Sequence, residues 1–196
     1  MNPDVRAHDV RGVRDEYVIR SVRAEEWPAV KELALAALRD PVAHLAFLDT
    51  YEVAVGRPDG FWQERAAGAA AGVRERQQVV AEGPGGRWVG CVVVLVEEAG
   101  AVGALGAVSH VRQGHLVGVY VRPEVRGSGL TERLFGYALR WAREDAGVER
   151  VRLFVHERNE RAQGFYRKFG FVPTGESVPV PGDAGARELE FVYAGS

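Results

Sequence analysis

Lysine and cysteine are scarce in this chain of 196 residues, and each scarcity excludes something. Among 25 basic side chains only Lys31 and Lys168 are lysines. That bias fits GC-rich coding better than any chemistry particular to arginine. The one cysteine, Cys91, lies in the apolar run Val89-Gly90-Cys91-Val92-Val93-Val94. An intramolecular disulfide and a multi-cysteine zinc site are therefore excluded, and no metal site is expected. Apolar surroundings disfavour the thiolate, so an inert buried thiol is expected rather than a nucleophile. No run of about 20 apolar residues could span a bilayer. The beginning of the chain, with Asp4, Arg6, Asp9 and Arg11, has no secretory apolar region. A formal charge of −2 gives no general attraction to nucleic acid or to an anionic membrane. These absences lead to the expectation of a cytoplasmic protein.

What is present is 46% apolar residue content, enough for one substantial core at this length. Residues 1–16 are polar and without apolar periodicity, and read as a loose tail ahead of a single domain over 17–196. Tyr17–Val22 reads as a strand. Trp27, Val30, Leu33, Ala34, Ala37 and Leu38 share one face of a helix that Asp40-Pro41 stops. Residues 42–57 are ambiguous. Pro58-Asp59-Gly60 opens a helix expected from Phe61 to about Val73. Strands Gln77–Glu82 and Trp88–Glu97 flank the turn Gly83-Pro84-Gly85-Gly86. After a small-residue connection, a strand runs over His115–Val121. A helix then carries Leu130, Leu134, Ala138, Trp141 and Ala142 on one face and ends near Gly147. Strand Val151–Val155, helix Glu160–Phe169, a strand from Phe171, a Pro/Gly loop and strand Glu188–Tyr193 complete the order. Hairpins plus one strand–helix–strand crossover predict an α/β (α+β) domain. Its mixed central sheet has about seven strands, flanked by about four helices.

The stretch Val119-Tyr120-Val121-Arg122-Pro123-Glu124-Val125-Arg126-Gly127-Ser128-Gly129-Leu130-Thr131 carries the most information. A strand feeding a glycine-bearing loop and then a helix N-terminus makes an anion site from backbone N–H groups and the helix dipole. A nucleotide-triphosphate loop would need a lysine after its last glycine, which is missing. A dinucleotide fingerprint would need a third glycine where Glu132 stands. A glycine loop that merely turns the chain remains open from these residues alone.

Arg126-Gly127-Ser128-Gly129-Leu130-Thr131 resembles the [RQ]-x-x-G-x-[GA] signature of the GNAT superfamily of acyl-CoA-dependent N-acyltransferases. Asn159-Glu160-Arg161-Ala162-Gln163-Gly164-Phe165-Tyr166-Arg167-Lys168-Phe169-Gly170-Phe171 is similar to a second block of the same superfamily, N-x-x-A-x-x-[apolar]-Y-x-x-x-G-F. The sharp motifs lie within 115–171, in the order and spacing of that fold. Thr131 departs from the usual Gly or Ala. Because backbone donors carry the anion, binding is expected to persist.

The resemblance implies acetyl-CoA as acyl donor. Its pantetheine arm would lie along Val119, Tyr120 and Val121, where a backbone N–H polarises the thioester carbonyl. Its pyrophosphate would sit on Gly127, Ser128, Gly129, Leu130 and Thr131, with Arg126 as a charge-assisted partner. Arg126 also reads as a solvated surface side chain. Asn159 would position the donor, cap its helix, or both. Tyr166 occupies the position of the acid that protonates the leaving thiolate, and otherwise packs with Phe165 and Phe169. His115 stands where many members carry a glutamate base, and its ordinary pKa suits that role. It also reads as an exposed histidine at a strand start. Glu97 and Glu98 are competing bases, ahead of His110 and His156. For the acceptor, the resemblance points to His44, Phe47, Tyr51, Phe61 and Trp62, with the segment from Glu176 to Ala186. The expected reaction is direct acetyl transfer to a primary amine of a small molecule such as a metabolite or antibiotic. Acetylation of a protein N-terminus or lysine is the alternative, and a non-catalytic CoA-binding sensor is a second. Homodimers are frequent in the superfamily.

Overall fold

A computed structural model describes residues 16–103 and 105–195, so the expected tail over 1–16 falls almost wholly outside them. In chain order the elements are β1 (Val18–Ser21), α1 (Trp27–Leu38), α2 (Tyr51–Val55), α3 (Asp59–Ala67), β2 (Arg76–Glu82), β3 (Trp88–Glu97) and β4 (Gln113–Val121). There follow α4 (Leu130–Glu144), β5 (Arg150–His156), α5 (Glu160–Phe169), β6 (Phe171–Val180) and β7 (Asp183–Tyr193). One mixed sheet has the order β1-β2-β3-β4-β5-β7-β6. Among the described residues only the β4–β5 pairing is parallel, which the α4 crossover between them requires.

The alternation of side chains along the strands divides the apolar residues between two cores. On one face Val92, Val94, Leu116 and Leu153 pack with Leu134, Phe135 and Ala138 of α4 and Tyr166 of α5. On the other, Val80, Cys91 and Tyr120 pack with Val30 and Leu33 of α1, Ala54 of α2, and Trp62 and Ala66 of α3. All five residues expected on the inner face of α4 are buried.

Three expectations are corrected. The ambiguous stretch holds a short helix, α2, whose Thr50 side chain accepts from Val53 N at 3.4 Å, so there are five α-helices among the described residues. The helix expected to reach Val73 ends at Ala67. Beyond it the chain drops onto the sheet, where Ala71 N donates to Val22 O at 3.1 Å and Gln78 N to Ala69 O at 2.9 Å. Those two bonds need extended partners and outweigh a further helical turn. The last strand begins at Asp183, because the β6–β7 hairpin stays paired through Val180 and Asp183. No helix among the described residues is long and apolar enough to cross a membrane.

Candidate active site

The parallel ladder between β4 and β5 is short. It pairs Gln113–Leu116 with Arg150–Leu153 and then stops, although β4 continues to Val121 and β5 to His156. The divergence begins where β4 bulges. Cys91 of β3 faces Tyr120 and Val93 faces Val117, so β4 has an extra residue there, and Gly118 adopts φ 60°. A left-handed residue in a strand favours glycine, and a bulge re-aims the backbone that follows. Val119–Val121 therefore present a backbone edge that β5 does not pair.

The chain then passes Pro123 and enters α4 through Gly127 (φ 80°) and Gly129 (φ 84°). Gly129 is the N-cap, and no side chain among the described residues caps the helix. The first turn of α4 thus keeps its orphan N–H groups, with the positive end of the helix dipole behind them. Ser128 Oγ is turned away, donating to Val125 O at 2.7 Å, and the Leu130 side chain is in the core. These two can serve an anion only through their backbone.

Three cavities meet at the divergence. The first, of about 330 Å³, runs past Val119, Tyr120, Arg126, Gly127, Thr131 and Tyr166. The second, of about 300 Å³, lies between α1–α3 and the sheet, against Phe47, Phe61, Trp62 and Gly118. The third is a gap of about 60 Å³ bounded by Gly118, Val119, Asn159, Tyr166 and Glu188. It shares Val119 and Tyr166 with the first and Gly118 with the second, so it lies beside both.

Tyr166 is buried in an aromatic group with Phe135, Phe171 and Phe191. The ring packs in the core as expected, and the residue also walls the gap. Burial, with the Glu188 charge adding to it, pushes the phenol pKa well up, so the hydroxyl stays protonated. Asn159 caps α5, its Oδ1 accepting from Ala162 N at 3.2 Å, and its Nδ2 donates to Leu45 O at 3.4 Å. The cap thereby ties α5 to the segment between α1 and α2. Arg126 is not a solvated side chain: it donates to Val121 O at 2.8 Å and pairs with Asp40.

The expected bases do not stand at this gap. His115 is 4% exposed; its Nδ1 lies 2.8 Å from Glu97 Oε1 and its ring meets Phe154 edge-on. It lines none of the three cavities, and it is not the exposed strand-start histidine that was the alternative. Glu97 also accepts from Arg152 Nη2 at 2.6 Å and Ser109 Oγ at 2.7 Å. Burial works to raise its pKa, but hydrogen bonds from His115 and Ser109 and the charge of Arg152 hold it at about 2. Such a carboxylate is a weak base. Glu98 is exposed and paired with Arg112 at 2.9 Å. Sequence order put His115 on the right strand, but the alternation of β4 turns it into this buried polar cluster.

Glu188 is the residue that sequence reading missed. It faces His156 across the β5–β7 ladder and walls the gap with Tyr166. Burial alone raises its carboxyl to about 7. The only signal in the sequence was a glutamate opening the last strand, among alternating apolar residues.

Of the acceptor residues expected, Phe47, Phe61 and Trp62 line the second cavity. His44 is exposed and Tyr51 is engaged with Arg39, whose guanidinium lies 4.2 Å from its ring centroid. Neither lines the cavities. Cys91 is on the wall of the second cavity, its Sγ donating to Gly118 O at 3.4 Å. Burial pushes its thiol up to about 11, which keeps it un-ionised and a poor nucleophile. Among the described residues, no group of three or more His, Cys, Asp or Glu could hold a metal.

The family model described as "Acetyltransferase (GNAT) family" matches residues 25–171. A peptidyl-lysine N-acetyltransferase, YjaB of Escherichia coli, is 40% identical over 63 residues, covering 32% of this chain and 39% of that protein. The match thus spans well under half of that relative. Among solved structures, a GNAT-family acetyltransferase from Streptococcus pneumoniae superposes with TM-score 0.63 at 19% identity, covering 90% of this chain and 98% of that one. PaiA N-acetyltransferase from Thermoplasma acidophilum, in complex with coenzyme A, superposes with TM-score 0.61 at 16% identity, covering 90% and 99%. At these identities the structural likenesses establish the fold.

Proposed function

The chain belongs to the GNAT acetyltransferase family, and from that premise we propose that it acetylates a primary amine of a small molecule, with acetyl-CoA as donor. The observation that carries this reading is the gap walled by Tyr166 and Glu188, which shares wall residues with the cavity at the α4 N-terminus and with the one beneath α1–α3. A donor with a pyrophosphate and an extended arm fits the first cavity. Uncapped N–H groups at α4 suit the anion, and the unpaired edge of β4 offers hydrogen bonds to amides. Thr131 lines this cavity without closing it.

The chemistry follows from what each side chain can do. Glu188, about half ionised at pH 7, takes a proton from the amine as nitrogen attacks the acetyl carbonyl. Backbone N–H groups on the open edge of β4 polarise that carbonyl. As the carbon–sulfur bond breaks, the Tyr166 hydroxyl donates to the departing sulfur. Bringing both reactants to one gap supplies the proximity that direct transfer needs, and Cys91 supports no acyl-enzyme route. Arg126 remains a candidate for the pyrophosphate, in competition with Asp40.

A small acceptor is favoured because the second cavity lies between α1–α3 and the sheet and is walled largely by apolar side chains. The match to the lysine acetyltransferase YjaB favours a protein lysine as the second reading. Incubation with acetyl-CoA and separate panels of small amines and peptides, following free thiol, tests both. Turnover of small amines is expected. Peptide turnover alone would move the assignment to the second reading, and CoA binding without any turnover would make the chain a sensor.

A further inference from the structure

The acceptor cavity has a charged end that the mechanism leaves idle. Arg65 of α3 and Arg76 of β2 both line it, and neither forms a hydrogen bond or ion pair with another described residue. Burial lowers the pKa of Arg76, and the charge of Arg65 adds to that effect, so the two cations are near enough to repel. The one carboxylate in the wall, Asp49, is held by Arg57 at 2.8 Å. Two half-buried guanidinium groups without a counter-charge are unfavourable in the absence of an anion.

We propose that the acceptor is a primary amine bearing a carboxylate, received by Arg65 and Arg76 while its nitrogen reaches the gap at Gly118. The proposal rests on the acetyl-transfer reading and names the substrate class of that site. Guanidinium forks match the two oxygens of a carboxylate, and the apolar wall between suits a methylene linker. Register limits the linker. Arg76 pairs with Leu95, Leu95 with His115, and Gly118 lies three residues beyond His115. Two strand spacings across and three residues along put the α-carbons of Arg76 and Gly118 about 14 Å apart. Part of that span is covered by the arginine side chain, so acid and amine stand several bonds apart, as in an ω-amino acid.

The test compares ω-amino acids of four to six carbons with their primary amides, which keep the amine and lose the charge. We expect kcat/KM for the acid to exceed that for the amide by about ten- to hundredfold, the range for charge-assisted hydrogen bonds. In Arg65→Gln and in Arg76→Gln that ratio collapses toward one, and Arg65→Lys restores part of it. Thermal denaturation confirms that each variant folds. A ratio near one in the parent protein, or one unchanged in the variants, overturns the proposal. Calorimetric titration of the CoA-loaded protein with acid and amide separates the two readings. Preferential binding of the acid without turnover would refute acetyl transfer and keep the anion site. Turnover that is indifferent to the carboxylate would do the reverse.

Discussion

Glu188 makes the sharpest prediction, because its burial acts oppositely on rate and on stability. With a folded pKa of about 7, the carboxyl is about 1% ionised at pH 5, half ionised at pH 7 and about 90% ionised at pH 8. If the ionised form takes the proton of the amine, kcat/KM rises about tenfold per pH unit below 7 and flattens above 8. Stability runs the other way. Between the unfolded value of 4.5 and the folded value of about 7, the folded chain binds the extra proton. The contribution is therefore fully present below 4.5 and is lost as pH rises through 7. Glu188→Gln removes the titration from both curves. We expect it to cost about a hundredfold or more in kcat, the usual scale for a general base, and to flatten the Tm against pH between 5 and 8. The assay is free-thiol release across pH 5–9, using an acceptor whose amine titrates well away from 7, beside thermal melts in the same buffers. A variant with undiminished rate and an inflection still near 7 would refute the assignment.

Other perturbations test neighbouring parts. Tyr166→Phe should lower kcat far more than acetyl-CoA affinity, measured by titration calorimetry against turnover, since the ring keeps its core contacts and only the donor is lost. Gly118→Ala meets no clash, its Cβ lying 3.7 Å from a Val93 methyl. The left-handed φ should still cost about 1 kcal/mol, or about 2–4 °C in Tm, with a larger fall in kcat as the bulge readjusts. His115→Ala should cost about 1–3 kcal/mol by stranding a hydrogen bond of Glu97 while leaving kcat/KM within a few-fold; loss of activity with stability intact would restore His115 as base. Glu97, held at about 2, adds stability that is present above pH 4.5 and lost as pH falls toward 2, which acid titration of native and His115→Ala proteins can compare.

The elements were legible wherever periodicity was strong. The stripe Leu130, Leu134, Ala138, Trp141 and Ala142 gave α4, and the glycine pair before it marked the loop that enters that helix. His115 and Glu188 show where that reading stops. Sequence locates a residue on a strand, but the face it takes depends on bulges, and its neighbours depend on which strands pair. Glu188 meets Tyr166 only because β7 inserts between β5 and β6, a pairing across the sheet that no local pattern encodes. Arg65 and Arg76 were silent for the same reason: each is an ordinary charged residue until the fold brings both to one cavity whose one carboxylate, Asp49, is held by Arg57. The early end of α3 was hidden too, since alanine favours helix and only the bonds to Val22 and Gln78 override it.

The short β4–β5 ladder has a mechanical consequence. Four residue pairs make up the whole backbone ladder between the leaf β1–β4 and the leaf β5–β7-β6, so the sheet is a book bound along half its spine. A donor lying in the open half would act as a clasp between the covers. Its departure would leave them free to flex about the Gln113–Leu116 hinge, and product release would be a motion of the whole sheet rather than of a surface loop.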